Sequence, residues 1–432
     1  MHHVPSQSSL IYDQLYLYPI KSLRPTPVES GILTMQGLQY DRRFMLLKVE
    51  SGKDGEIKLE NMHVARYPAM ALFEVAVEMP KTDDDRGNIT ITYHPPSSQE
   101  ASDTRPRDTK RIEIQLLPLL GRDATQVKKI PIMMHSSRTS AFDIDTKYND
   151  WFSECFGFPV ILAYLGPLSR SVLGTLAPES KGNWQVWKQE WNGVFLKRKI
   201  FPPLLWAFVL FQILNLPRRL IEDYGMNFTH AITLAVIVGI TLILGTHIAL
   251  LRKHKSQISF ADCAPYMIIS ETSVEDVSAR LAEGEDMDRS KFRPNIVVSG
   301  SEEAYEEDFW TELSIGSRAR LLLTGNCTRC VSLNVDYSTG QFANGEQGTV
   351  LKKLMKDRRI DKGARFSPVF GRYTFLDRAS DGQVIRVGDE VEVMARSTKY
   401  SVSGEYSKAT VSSAFLPYQV AQVLTLYRLA WP

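Results

Sequence analysis

Cys327 and Cys330, separated only by Thr328 and Arg329, are the residues in this chain best spaced to do chemistry. A C-x-x-C pair can hold zinc, cycle as a thioredoxin-type dithiol, or give one thiolate to a soft metal. Zinc asks for a second Cys or His pair nearby, and none follows at suitable spacing. A redox dithiol would sit in a strand–helix–strand setting, whereas this pair lies between two strand-like runs. A single metal-bound thiolate stays open, because coordination deprotonates a thiol outright. A purely structural pair stays open too, and spacing alone favours it about as often.

Cationic and polar residues gather where strand-like runs begin or end. Lys21-Ser22 closes Gln14–Ile20, Asp41-Arg42-Arg43 opens Phe44–Val49, and Phe292-Arg293-Pro294-Asn295 precedes another run. Strand ends and loops can converge on one site. Lys and Arg there suit a phosphate, held by charge-assisted hydrogen bonds. Taken singly, each reads more readily as a solvated surface charge. The chain has no Gly-rich phosphate loop, no G-x-S-x-G and no H-E-x-x-H. Net charge is only +2, which gives no general field for nucleic acid, so no nucleic-acid partner is expected. Four cysteines are too few and too scattered for a disulfide framework and suggest a reducing compartment.

The elements that must position these residues are mostly strands. Phe73–Met79, Ile89–Tyr93 and Arg111–Leu116 alternate apolar and polar residues, the period of half-buried strands. Tyr148–Phe156 reads as a short helix, and Pro95–Arg107 as a surface loop. Thr272 with Glu275 has capping-box spacing before Val274, Val277 and Leu281. Further strand-like runs are Asn295–Val298, Ala319–Leu323, Val331–Val335 and Val384–Met394, the last broken by a turn at Gly388-Asp389.

Between the two β-rich parts the composition shifts. Ile200–Leu216 is nearly all apolar, and its roughly 17 residues would span about 25 Å as a helix. Ala231–Leu251 runs without charge for about 21 residues, enough for a ~30 Å bilayer core. Lys197, Arg198, Lys199, Arg252, Lys253 and Lys255 flank the pair outside, against Arg218 and Arg219 within. The positive-inside rule then puts both flanks on the cytosolic side. His247 within the second run fits a neutral interfacial histidine, and the Asn227 sequon lies too near a membrane for use. The polar residues Met1–Leu10 show neither signal nor transit pattern, so a membrane address is expected to be internal.

Taken together, these residues resemble the MOSC superfamily, most nearly its amidoxime-reducing members. The resemblance rests on Tyr16–Ser22 and Gly37–Met45, then Phe260-Ala261-Asp262, Phe292–Val298, Glu306–Trp310 and Cys327–Cys330. It continues through Val335-Asp336, Thr339-Gly340, Pro368–Tyr373 and Ile385–Asp389. It implies a mixed, β-rich fold: an N-terminal MOSC-type β-barrel domain over 11–166 and a MOSC β-barrel domain with peripheral helices over 259–395. An insertion over 167–258 would carry the two-helix transmembrane hairpin, and 396–432 would be a C-terminal extension. The family pattern further implies a molybdenum–molybdopterin cofactor with Cys330 as the metal ligand. Contacts to the pterin and its phosphate would come from Lys21, Ser22, Arg42, Arg293, Asn295, Thr328, Arg329 and Tyr373.

The implied activity is reduction of N-hydroxylated small molecules, with electrons from a cytochrome b5-like partner and its reductase. With lipid as the other partner, the chain is expected to be an integral membrane protein facing the cytosol, at the outer mitochondrial membrane or the endoplasmic reticulum. Three departures from the family pattern stand out. Cys263-Ala264 replaces small hydroxyl residues, the tail lacks an iron–sulfur domain, and the hairpin replaces an N-terminal anchor. The alternative function is a cofactor or sulfur carrier without reductase activity. MOSC domains also close cofactor sulfurases, whose pyridoxal phosphate domain has no room here. A tethered scaffold with a lost site is a third reading.

Overall fold

Short runs of β-branched and aliphatic residues set the framework. Ile296–Ser299, Tyr266–Ser270, Val369–Leu376, Ala319–Thr328, Trp310–Ile315 and Glu390–Arg396 pair in that order, and Leu10–Leu17 follows. Leu10–Leu17 also pairs back onto Ile296–Ser299, so the sheet closes on itself as a seven-stranded barrel. One pair, Tyr266–Ser270 with Ile296–Ser299, is parallel, and the rest are antiparallel. The closing strand comes from the far N-terminal end of the described chain. In the computed structural model, residues 10–52, 56–82, 84–96, 109–118, 127–174, 176–178, 233 and 256–403 are described. Residues on either side of the insertion belong to one compact unit, and 179–256 form another.

Alternation along the barrel strands feeds two cores. Tyr266 and Ile268 point into the barrel with Leu15, Trp310 and Leu321. Met267 and Ile269 point outward into a second cluster with Val274, Phe292, Phe370 and Cys327. Burying an aliphatic or aromatic side chain of this size contributes roughly 1.5–3 kcal/mol. Where strands crowd, Gly371 sits at φ +78°, and a Cβ there would meet Ile268 O at 2.8 Å. Only glycine fits such a position without strain.

The N-terminal half builds a separate core. Lys129–Met134, Ser137–Asp143, Val160–Tyr164, Phe44–Ser51 and Ile57–Asn61 form a five-stranded sheet. Phe73–Glu78, Asn88–Tyr93 and Lys110–Gln115 form a three-stranded one. Helix Thr146–Phe156 is capped by Asp145, whose side chain accepts from Lys147 N, and ends at left-handed Gly157. Phe44, Phe73, Ile89, Phe152 and Leu162 join these elements in one cluster.

Several expectations are corrected. The fold class does not include the transmembrane hairpin: no helix among the described residues is long and apolar enough to cross a membrane. The integral-membrane localisation is withdrawn on the same ground. The two apolar stretches, 200–216 and 231–251, lie outside the described residues apart from Thr233. A charge-free run reports apolarity alone and does not by itself establish a continuous helix. The described helices reach 11 residues, about 16 Å, half of a ~30 Å bilayer core. The capping box is absent as well. The helix is Glu271–Ser278 with Ser270 at its N-cap, and Thr272 Oγ1 donates to Ser301 O instead. Val331–Asn334 is a 3-10 turn rather than a strand. The Gly388 turn forms, but Val384–Arg386 and Glu390–Arg396 on its two sides enter different sheets.

Candidate active site

Three of the site residues expected from sequence adopt left-handed backbone: Ser22 at φ 70°, Arg42 at 51° and Arg293 at 55°. Such conformations are uncommon for non-glycine residues and cost about 1 kcal/mol or more each. They sharply re-aim the side chain at a strand's end. Arg42 N donates to Tyr18 O at 2.7 Å and Phe260 N donates to Arg42 O at 3.0 Å, which lock one bend. Arg293 caps the 3-10 turn Arg289–Phe292, its N–H donating to Ser290 O.

These bends bring Arg42 and Arg293 over the same buried ring, 4.6 and 4.5 Å from the Tyr18 centroid. Arg42 is ion-paired to Asp41 and donates to Asn295 Oδ1 at 3.0 Å. Asn295 Nδ2 donates to Tyr16 O, and Arg293 donates to Leu23 O at 2.9 Å. Burial pushes the Asp41 carboxyl above its ordinary value, with Arg42 opposing.

Lys21 goes elsewhere. It is almost fully buried, and its ammonium pairs with Asp262. Burial depresses its pKa, only partly offset by Asp262. Desolvation opposes the charge on Asp262, yet Lys21 and a hydrogen bond from His135 hold that carboxyl well below the usual range. The Asp262 side chain is still 57% exposed, so solvent screening leaves this pair little effect on stability.

Arg329 organises the third part. It donates to Cys327 Sγ at 3.0 Å and to Phe292 O, and lies 5.2 Å from the Phe292 ring centroid. Phe292 in turn stacks on Phe370 at 3.7 Å. Tyr373 lies near Cys327 and Cys263, and burial, followed by the Cys263 and Cys327 charges, raises its pKa. Burial likewise pushes the Cys263 thiol up to about 12, so it is a neutral thiol where a hydroxyl was expected from the family pattern. Thr328 closes the strand Ala319–Thr328 opposite Val369. Cys327 is 3% exposed, whereas Cys330 is exposed and its thiol touches Ser332 Oγ at 3.2 Å.

Arg42, Arg293 and Asn295 therefore converge through shared partners, Arg329 and Tyr373 meet near Cys327, Lys21 stands apart on Asp262, and the exposed Cys330 follows Arg329 in the chain. Five cations, Lys21, Arg42, Arg170, Arg293 and Arg329, stand against two carboxylates, Asp41 and Asp262; Lys21, Arg42, Arg170 and Asp41 are buried, and Arg293 and Arg329 are half-buried. Arg293 Nη2 and Arg329 Nε are buried without a hydrogen-bond partner. Surplus buried charge with unused donors is costly unless an anion completes it. A phosphate bearing two charges fits, and Cys330 is an accessible thiol for a soft metal. Among the described residues no three His, Cys, Asp or Glu side chains converge as a metal cage. A single protein thiolate beside a ligand that brings its own donors is thus the arrangement these residues suit. A cavity of about 780 Å³ lies elsewhere, lined by Glu271, Glu275, Glu283, Asp286 and Asp288. Its acidic wall repels an anionic cofactor.

Sequence reasoning missed Tyr18, His135 and Arg170 as parts of this site. The alternating runs around His135-Ser136 carried a hairpin signal, but their turn residues are atypical.

Residues 255–392 match the family described as the MOSC domain, and residues 10–159 match the MOSC N-terminal beta barrel domain. Together these matches span about two thirds of the chain and include every site residue above except Arg170. Among curated proteins, "Mitochondrial amidoxime-reducing component 1" of Homo sapiens is 37% identical over 34% of this chain and 42% of its own length. "Mitochondrial amidoxime reducing component 2" of Rattus norvegicus is 38% identical over 31% of this chain and 38% of its own. The chain thus matches about two fifths of the length of these relatives. The solved YUAD protein from Bacillus subtilis overlaps with a TM-score of 0.21 at 14% identity, covering 32% of this chain and 67% of that one.

Proposed function

The chain belongs to the MOSC-domain family, and from that premise we propose that it is a molybdenum-cofactor oxidoreductase that reduces N-hydroxylated small molecules. The observation that carries this reading is the surplus of buried cations, with unused donors on Arg293 and Arg329, beside the exposed Cys330 thiol. The relatives named amidoxime-reducing components supply the substrate class.

In this reading Cys330 gives the one protein ligand to the metal. Arg42 and Arg293 donate to the cofactor's phosphate, held in place by Asn295, Asp41 and the Tyr18 ring. Arg329 and Tyr373 hold the pterin side, with Thr328 and Ser22 adding short polar contacts. The stacked Phe292 and Phe370 rings beside Arg329 exclude water there, which strengthens the charge interactions of that guanidinium. When bound, the cofactor supplies the two electrons that break the N–O bond. The balance is one N–OH group, two electrons and two protons going to one N–H and one water. The electrons are expected from a separate haem protein of the cytochrome b5 type with its reductase.

A cofactor carrier is the second reading, favoured by the exposure of Cys330, which would leave a bound metal open to transfer. The test is molybdenum content of purified protein beside Cys330→Ala, then reduction of benzamidoxime with a reduced viologen as donor. Near-stoichiometric metal with turnover, both lost in Cys330→Ala, is the expected result. Metal without turnover would favour the carrier, and no metal after cofactor-replete expression would overturn both.

A further inference from the structure

The proposed reaction takes two electrons per N–O bond from a separate protein, and this inference rests on that reading. Such a protein has to approach Cys330, the exposed thiol. One segment, residues 350–368, meets the chain on both sides of that thiol. On one side the 3-10 turn Val331–Asn334 follows Cys330 directly, and Leu351 N donates to Asn334 Oδ1 at 3.0 Å. At about 2 Å of rise per residue, this turn puts the start of helix Val350–Leu354 on the order of 10 Å from Cys330. On the other side Arg329 N donates to Pro368 O at 2.8 Å.

The same segment carries a face of unpaired cations. Val350, Leu354 and Arg358 are buried, and Arg358 is ion-paired to Asp308. Arg358 N donates to Leu354 O at 2.9 Å, so helical geometry continues that far. Lys352, Lys356 and Arg359 stand at helical spacing on the opposite face, and all three are exposed. Farther on, Ser367 N donates to Ala364 O at 3.0 Å, closing a turn with Arg365 and Phe366 at its corners. Arg365 lies 5.0 Å from the Phe366 ring centroid, and Phe366 is 57% exposed. Among the described residues, Lys352, Lys356, Arg359 and Arg365 make no ion pair, whereas their neighbours Lys353 and Asp357 are taken up by Glu346 and Arg280.

These cations attract an acidic surface, and what lies beside them selects its kind. Glu283, Glu285 and Asp286 form an acidic loop next to the helix, where Gln347 Nε2 donates to Asp286 O at 3.3 Å. A flat anionic bilayer laid over the cations would press on that loop as well. A protein with a bounded acidic patch meets the cations and leaves the loop in water. Repulsion from the loop then fixes its orientation.

We propose that Lys352, Lys356, Arg359 and the Arg365-Phe366 turn form the docking face for an acidic haem protein that delivers electrons to the group held at Cys330. Electrons pass one at a time. Two ferrous haems become ferric for each N–O bond broken, and solvent supplies the two protons. Phe366 gives this face an apolar centre and the cations give it a charged rim, as in small transient redox interfaces.

The test compares wild type with Lys352→Glu/Lys356→Glu/Arg359→Glu. A control, Lys58→Glu/Lys129→Glu/Arg138→Glu, makes the same charge change on exposed positions of the N-terminal five-stranded sheet. Benzamidoxime reduction is followed with two donors, a reduced acidic haem protein of the cytochrome b5 type and reduced methyl viologen. Molybdenum content is measured beside them. The docking variant is expected to lose about 100-fold in kcat/KM for the haem protein at low salt. Its viologen turnover and molybdenum content stay within about twofold of wild type, since exposed substitutions leave the fold intact. The wild-type rate with the haem protein falls as salt rises, because screening sets in over ~10 Å at 0.1 M, and the variant loses that dependence. The control keeps its haem-protein rate within about threefold.

An unchanged haem-protein rate in the docking variant would overturn the proposal, and so would an equal loss in the control, which would assign the effect to net charge. Binding of wild type to phosphatidylserine vesicles, lost in the docking variant while its haem-protein rate is kept, would give the face to a membrane instead. Wild type that turns over with viologen but takes no electrons from the haem protein would sink this inference alone. Molybdenum-loaded wild type with no viologen turnover would remove the proposed function and this inference together.

Discussion

Glu307 shows how a single buried group can set the pH dependence of the whole fold. It is fully buried, accepts from Ser273 Oγ at 2.8 Å, and leaves its other oxygen without a partner. Burial, with the neighbouring Asp308 charge, raises its pKa from 4.5 to about 7. Asp308 is raised by burial as well, against its ion pair with Arg358. A carboxyl whose folded pKa exceeds its unfolded one binds more protons when folded. Stability is then lost as pH rises from about 4.5 to about 7, and the loss persists above that. Glu307→Gln should flatten this slope and stabilise the protein at pH 8 by on the order of 1–3 kcal/mol, since one pKa unit is about 1.4 kcal/mol. Asp308 retains part of the slope. Urea denaturation at pH 5 and pH 8 checks this, and a variant that is no more stable at pH 8 would refute it.

At the scale of elements, the strand Leu10–Leu17 joins the two halves. Leu15 is fully buried in the barrel core and pairs with Ile296 on one side and Val28 on the other. Leu15→Ala should cost about 2–5 kcal/mol, the range for buried large-to-small changes. Hydrogen exchange should show amides of Ile296–Val298 losing protection along with those of Leu10–Leu17; loss confined to the N-terminal strand would contradict this. Much of the local structure was legible from period and turn chemistry. Phe73–Glu78, Asn88–Tyr93 and Lys110–Gln115 alternate cleanly because one face meets the Phe152 core and the other meets water.

Tyr266–Ser270 carried no such signature, because its five residues are buried on both faces between two cores. Val331, Leu333 and Val335 alternate with Ser332 and Asn334 as a strand would, yet the chain turns there after Cys330, with Leu333 N donating to Cys330 O. The site cations were legible as charges at strand ends. Their convergence was not, because it depends on left-handed backbone at Ser22, Arg42 and Arg293, which those residue types do not announce. Nor does any local pattern say that a strand near position 10 pairs with one near 296.

For the whole molecule, the same charge surplus makes stability depend on anions. Cofactor-free protein should gain about 1.4 kcal/mol from inorganic phosphate at ten times its Kd. At about 2.1 cal/mol/K of unfolding entropy per residue, a protein of this size then shows a Tm rise of about 2 °C. Arg293→Ala should remove most of that rise, whereas an equal rise in the variant would place the anion elsewhere. Differential scanning fluorimetry with sodium phosphate against sodium chloride at matched ionic strength makes the measurement.

The barrel's closing strand also bears on biosynthesis. Leu10–Leu17 leaves the ribosome first, but its neighbour Glu390–Arg396 emerges about 380 residues later. At roughly 5–20 residues per second, that wait is on the order of 20–80 seconds. Throughout it the N-terminal strand has no complete barrel to join, and Lys21 and Arg42 have no Arg293 or Arg329 opposite them for most of that time. A prematurely terminated product therefore never assembles the anion site. If the proposed function holds, cofactor loading would be reserved for chains whose synthesis has run nearly to completion, a form of quality control written into strand order.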